Sequence, residues 1–303
     1  MRPFRFGLQL RASPGDDVID AARRAEATGF DVVLLADHVG PGGLSPMPTL
    51  AAIATATTTI RLGTLVLNAE MRNPVQLAWE AATIDHLSGG RFELGLGAGH
   101  TPHEFAQCGV EMLPAAGRKR HLMAQVELIR ALLDGEMASS LPLGVVAASI
   151  DRAMQDRLPI LVGGNGAALL AHAGAHADII GLQGLGRTLE DGHRHEVRWA
   201  TEHLDRQLDQ VRHGAGARFD ELELNALVQV VEITDDADAA IEALCEQIPT
   251  LDPSEVRELP YVLVGTVDEI VAKLHRCRDR WGISYFAVRA LEEFAPVVAA
   301  ANR

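Results

Sequence analysis

Short apolar runs alternate with amphipathic stretches along the whole chain. Residues 4–10 alternate in the manner of a strand, and Asp16 to Thr28 (DDVIDAARRAEAT) sets apolar residues at helical spacing behind an acidic first turn. Gly29 closes that helix as a C′ glycine. Residues 30–36 (FDVVLLA) form a near-continuous apolar run, as expected of a strand covered on both faces. A helix over 49–58, a strand over 60–67, a helix over 74–87 with Pro74 in its first turn, and a strand over 91–97 follow. Residues 117–133 predict a helix, and 159–163 a strand that runs through GGNG into a helix over 167–173. Strands over 178–182, 224–232 and 284–289 alternate with helices over 191–211, 235–247, 266–280 and 291–300. Thr266 and Glu269 fit a capping box at the start of the helix over 266–280.

Repeated βα units alone suit either an open parallel sheet or a barrel. The count of eight strands selects a (β/α)8 TIM barrel, since an open sheet would leave apolar edges. The expected organisation is one domain over 1–303, with insertions at the C-terminal face and a variable insertion at about 100–158. Within it, the weakly patterned stretch 135–157 is the expected mobile segment near the site.

With 48% apolar residues, the 303-residue chain can build a large core, and with only 4% aromatics that core must rest on Ala, Leu, Val and Ile. The net charge of −14, from 41 acidic and 27 basic residues, argues against a nucleic-acid partner or an anionic membrane surface. Only Lys119 and Lys273 are lysines, so a phosphate site is expected to use arginine or backbone N–H groups. Cys108, Cys245 and Cys277 make no disulfide framework, no apolar run reaches membrane-spanning length, and the N-terminus reads as a strand. The expectation is therefore a reduced, cytoplasmic protein.

A barrel carries its chemistry at the C-terminal ends of its strands. After the second strand stand Asp37 and His38, one free to face the mouth while the other anchors the loop, or else a capping Asp beside a surface His. After the third, Asn68 offers a donor and an acceptor to a heterocycle edge, and Arg72 is read as structural, pairing with Glu70. The fourth ends in GLGAGH, which is not G-x-G-x-x-G. Its Gly95, Gly97 and Gly99 let a planar group lie close to the backbone, with His100 at the mouth, either catalytic or a plain loop histidine. The fifth runs into Gly163-Gly164-Asn165-Gly166 and a helix, an anion seat of free N–H groups or an ordinary tight turn. There is no Walker lysine, no GxSxG elbow, no HExxH and no clean metal-ligand triad. His193 and His195 read as solvent-facing residues of a polar helix, so no metal is expected.

Four segments go further: GFDVVLLADHV at 29–39, the long stretch TIRLGTLVLNAEMRNPVQLAWEAATIDHLSGGRFELGLGAG at 59–99, PILVGGNG at 159–166 and LVGTVDEIVAKL at 263–274. They resemble the bacterial luciferase-like flavin/deazaflavin oxidoreductase family, and most of all its coenzyme F420-dependent branch. The resemblance implies a deazaflavin lying across the strand ends of a (β/α)8 barrel. It implies a non-prolyl cis bond at Leu65-Val66 under the cofactor ring, with Asp37, Asn68, Gly97 and Gly99 around it and the cofactor phosphate at Gly163, Gly164 and Asn165. His38 becomes the first catalytic candidate, with His100 and Asp37 beside it. The chain departs from the sugar-phosphate dehydrogenases of that branch in two places. No tryptophan follows Asp37-His38, and His100 stands where that branch has a glutamate. The implied function is hydride transfer between F420 and an unidentified small organic substrate. An FMN-dependent monooxygenase and a non-catalytic cofactor-binding barrel are the alternatives. An apolar helical face would suit a homodimer or packing within one chain equally.

Overall fold

The structure is a computed structural model and describes residues 2–189 and 195–302. The first half runs β1 (Arg5–Leu10), α1 (Val18–Thr28), β2 (Val32–Leu35), α2 (Pro46–Ala56), β3 (Arg61–Thr64), β4 (Leu67–Asn68), α3 (Pro74–Ser88) and β5 (Phe92–Gly97). Next come α4 (Pro102–Gln107), α5 (Ala115–Leu133), β6 (Ala138–Ser140), β7 (Val145–Ala148), β8 (Ile160–Gly163), α6 (Ala167–His176) and β9 (Ile179–Leu182). The rest is β10 (Leu185–Thr188), β11 (His195–Val197), α7 (Thr201–Ala215), β12 (Glu223–Leu227), β13 (Val230–Ile233), α8 (Ala237–Gln247), α9 (Pro253–Glu258), β14 (Val262–Gly265), α10 (Val267–Trp281), β15 (Ile283–Val288) and α11 (Leu291–Ala301).

The strands pair in the order β3-β2-β1-β15-β12-β9-β8-β5, and β5 returns to β3 through Leu62 opposite Phe92 and Gly63 opposite Glu93. All of these pairings are parallel, so the ring is a closed (β/α)8 barrel, as expected. Alternation along each strand sorts the core into two layers. Phe6, Leu8, Phe92, Leu94, Phe286 and Val288 face the helices, while Val32, Leu34, Leu161, Ile179, Tyr285 and Ala287 fill the barrel.

At the base of the barrel the inward positions are charged. Arg5 bonds both Glu93 and Glu223, and Arg61 bonds Glu93 as well. The Arg5 guanidinium also lies 4.5 Å from the centroid of the Tyr285 ring. Burial disfavours the Arg5 charge, but Glu93, Tyr285 and Glu223 together outweigh that and raise its pKa. Desolvation raises the pKa of Glu223 and Tyr285.

Three expectations are corrected. The apolar run 224–232 is not one strand, because the N–H groups of Gln229 and Val230 both turn to the Tyr261 carbonyl; β13 then leaves the barrel to pair with β14. The helix expected over 191–211 begins at Thr201, and residues 195–197 are a strand paired with β10. His193 lies outside the described residues. The stretch 135–157, expected beside the site, forms the β6–β7 hairpin behind α5 and packs at the opposite end of the barrel. There Gln155 bonds Asp85, the Phe92 carbonyl and Arg61. A segment joining a helix to the start of the next strand lies at the N-terminal face by construction.

One carboxylate joins the first helix to the third barrel strand. Glu26 of α1 accepts the backbone N–H groups of Thr58, Thr59 and Ile60 at 2.8, 2.6 and 3.0 Å. Partial burial opposes its charge, yet these bonds prevail and push its pKa down to about 2. The native state therefore binds fewer protons than the unfolded chain between about pH 4.5 and 2. The stabilisation is present above that window and lost as pH falls through it. Glu26→Gln is expected to remove this part of the acid dependence in urea unfolding measured across the window; an unchanged slope would disprove it.

Candidate active site

One cavity of about 1270 Å³ occupies the C-terminal mouth of the barrel. Asp37, His38, Leu65, Val66, Asn68, Gly97, Gly99, His100, Gly163, Gly164 and Asn165, the residues expected from sequence, all line it.

On one wall the Leu65-Val66 peptide is cis, as the resemblance implied. The Leu65 carbonyl accepts from Gln9 Nε2 at 2.6 Å, a partner the sequence reading missed. The glycines around this bulge have a concrete reason. A Cβ on Gly97 would stand 2.6 Å from a Val66 methyl, one on Gly163 3.0 Å from the other, and one on Gly99 2.4 Å from the Asn68 amide. The close approach they permit is first of all that of the neighbouring strand.

Asp37 and His38 divide as adjacent residues in a turn can. Asp37 is buried; it accepts the Asn68 N–H at 3.0 Å and Arg72 Nη2 at 2.8 Å. Arg72 is therefore structural as expected, but its partner is Asp37. Glu70 instead pairs with His121 at 3.3 Å. His38 turns the other way, with a side chain 60% exposed.

Its Nδ1 lies 2.8 Å from Oε1 of Glu104, a largely buried carboxylate from the first turn of α4. A carboxylate accepts only, so Nδ1 donates, and in the neutral ring it is Nε2 that carries the lone pair. Glu104 was missed because nothing local marks a single acid on a short helix. Position 100 is a histidine, and the carboxylate that meets His38 comes from Glu104, four residues on.

The rings of His38 and His100 are 5.9 Å apart, and His195 stands 4.6 Å from His100. His195 also lines the cavity, which corrects its reading as a solvent-facing helical residue.

On the far side of the cavity the GGNG turn holds Gly164 and Gly166 at φ 151° and 100°, opening α6. Lys119 from α5 reaches it, its Nζ only 2.8 Å from where a Cβ on Gly166 would be. Burial, and then Arg118, lower the Lys119 pKa. Arginine or backbone N–H groups were expected at a phosphate site; beside the N–H groups of this turn stands one of the two lysines, brought there from 47 residues before Gly166. N–H groups at a helix start and an ammonium suit a phosphate, and a broad bed of backbone and Val66 suits a planar ring. The donor set therefore fits a flavin or deazaflavin mononucleotide.

Away from the cavity, folding assembles a ligand group that the spacing did not show. Glu127 of α5 meets His172 and His176 of α6, with candidate ligand atoms within 4.8 Å of one another. Among the described residues no helix is long and apolar enough to cross a membrane.

A closed parallel barrel whose mouth joins a cis bulge at the third strand to a glycine turn and helix start at the fifth matches a class, that of barrel oxidoreductases working with a flavin or deazaflavin. The chain belongs to the luciferase-like monooxygenase family, which residues 1–248 match. It is 28% identical over 302 residues to an F420-dependent glucose-6-phosphate dehydrogenase of Kribbella flavida, covering 94% of this chain and 85% of that one. A stretch of 125 residues is 35% identical to an uncharacterized Sinorhizobium fredii protein and spans 36% of its length. The F420-dependent tetrahydromethanopterin reductase of Methanopyrus kandleri shares the fold with a TM-score of 0.72 at 21% identity, over 98% of this chain and 97% of that one. An FMN-bound type II Baeyer-Villiger monooxygenase component of Pseudomonas putida does so at 0.69 and 15%, over 99% and 96%.

Asp37→Ala would leave Arg72 facing a buried gap and free the Asn68 N–H. A loss of about 3 kcal/mol in urea unfolding is expected for breaking such a pair; a change within about 0.5 kcal/mol would show that the pair does not hold this wall.

Proposed function

We propose that the protein is an F420-dependent oxidoreductase that transfers hydride between the deazaflavin C5 and a small organic substrate. The observation that carries this reading is the single cavity joining the Leu65-Val66 bed to the Lys119 and Gly163–Gly166 anion seat, with His38 on its rim. Gly163, Gly164, Asn165 and Lys119 would hold the phosphate; Leu65, Val66, Asn68, Gly97 and Gly99 would bed the ring. Bound there, the deazaflavin supplies a two-electron hydride carrier.

The chain's own residues do the rest. Asp37 positions the Asn68 wall. Glu104 fixes the His38 tautomer, so that Nε2 takes a proton from an alcohol substrate or, in the reverse direction, returns it. His100, flanked by His38 and His195, is the second proton-handling group.

Fluorescence titration of the purified protein tests the cofactor. The expected result is micromolar or tighter F420 binding with negligible FMN binding, and the reverse would assign the chain to FMN chemistry. Lys119→Met is expected to weaken F420 roughly tenfold, the worth of one charge-assisted bond. His38→Ala is expected to cut turnover by about 100-fold or more while leaving cofactor affinity nearly unchanged. Equal turnover would remove His38 from the proton step, and cofactor binding without turnover on a broad substrate panel would favour a non-catalytic barrel.

A further inference from the structure

The cavity reverses the sign of the molecule. The chain carries −14, yet the charged side chains lining the mouth are five cations (Arg11, Arg118, Lys119, Arg198 and Arg289) and two acids, Asp37 and Glu104. Both acids are engaged, by Arg72 and His38. Arg118 is tied to the Ala98 and Gly99 carbonyls, Arg198 to Glu196, and Lys119 lies on the GGNG turn. Arg11 and Arg289 remain.

Their placement follows from strand alternation. Tyr285 and Ala287 point into the barrel, and Arg289, two residues on, continues that face past the end of β15. Arg5 and Gln9 occupy the inward face of β1, and Arg11 continues it in the same way. β1 and β15 are hydrogen-bonded neighbours, so the two guanidiniums leave adjacent strand ends. In the ring order, β1 lies across the barrel from β8, which carries the phosphate seat.

Arg289 is held in place without being neutralised. Its Nε donates to Gln9 Oε1 at 2.8 Å and its Nη1 to Gln229 Oε1 at 3.2 Å, and Gln9 in turn donates to the Leu65 carbonyl. Both acceptors are amides. Among the described residues no carboxylate forms an ion pair with Arg289, and Arg11 has neither an ion pair nor a hydrogen bond there. The surrounding cleft walls desolvate Arg289 and lower its pKa, with no opposing acid, while its surface stays open to solvent. A fixed, partly desolvated, unneutralised guanidinium is a site waiting for an anion.

We propose that Arg289 and Arg11 form an anion-binding subsite for the substrate, which therefore carries a carboxylate or a phosphate monoester. The assignment to substrate rests on the cofactor lying between the Leu65-Val66 bed and the GGNG turn, which leaves the β1–β15 side of the mouth to the second reactant. Gln9 links this subsite to the ring bed, so an anion gripped there sits beside the ring.

Calorimetric titration tests it with inorganic phosphate and with succinate, on the F420-loaded protein and, for phosphate, on the cofactor-free protein. The loaded protein is expected to bind one anion saturably below about 10 mM. Arg289→Gln should weaken that binding at least tenfold, Arg11→Gln less, and neither should change F420 affinity. The cofactor-free protein should show two phosphate sites, of which Arg289→Gln removes one. The proposal is overturned by absence of anion binding to the loaded protein, by unchanged binding in Arg289→Gln, or by a loss of F420 affinity in that variant, which would give the guanidinium to the cofactor's own acids. If F420 itself fails to bind, the cofactor reading falls, and the cofactor-free titration still decides whether Arg289 holds an anion. Should Arg289→Gln not fold, judged by circular dichroism, Arg11→Gln and Arg289→Lys carry the comparison, with measurably weaker anion binding expected in the first and near-native binding in the second; unchanged binding in Arg11→Gln would then overturn the proposal.

Discussion

Everything at the mouth of this barrel depends on a knot of charge at its base. Arg5, Arg61, Glu93 and Glu223 come from β1, β3, β5 and β12, and they meet where the barrel would otherwise be apolar. Isolated charges there would be prohibitively desolvated, so the four are tolerable only together. That requirement fixes register. A slip of one residue in any of these strands would turn its charge toward the helices and its apolar neighbours inward. Two and four residues further up the same inward faces stand Gly7 and Gln9, Gly63 and Leu65, Gly95 and Gly97, and Asn225 and Leu227. The base thus determines which side chains the top presents.

The parts of the fold legible in sequence were those encoded locally. The buried strands showed as apolar runs, the capping box at Thr266 and Glu269 formed as read, and Gly29 and Gly89 stop their helices in the left-handed conformation. The GGNG turn was legible from its glycines and the helix behind it, whereas the Leu65-Val66 bond became legible only through the resemblance, since neither spacing nor periodicity announces a bulge. What failed were judgements of position. The weak patterning of 135–157 was real, but weak patterning does not say at which end of a barrel a loop lies; chain direction does. His195 looked like helix surface because its neighbours are polar, whereas a short hairpin over the mouth is equally polar.

The site residues missed share one cause. Glu104, Lys119 and Arg289 reach the cavity from a short helix, a crossover helix and the turn just past the last strand, and each meets a partner 66, 47 or 280 residues away. No local motif spans such separations. One signal was available nonetheless. RFGLQLR reads simply as an alternating strand, but its second face is Arg5, Gly7, Gln9 and Arg11, a polar stripe on a strand whose other face carries the buried Phe6 and Leu8. In a barrel that stripe can only look inward, so the alternation already traced a line from the buried charges to the mouth.

The glycines packed around Val66 carry a consequence for how such a site can change over time. Gly97 and Gly163 from the flanking strands leave room that the two Val66 methyls occupy, and Gly99 does the same for the Asn68 amide. The floor of the cavity is therefore a mosaic in which each piece owes its shape to an absence in its neighbour. Single replacements cannot redraw it, because any added carbon collides before it reaches the ligand. Diversification is pushed outward to the rims contributed by α4, the β10–β11 hairpin and the strand ends, where side chains meet solvent rather than one another. A lineage built on this floor can exchange substrates many times while keeping the same bed beneath them.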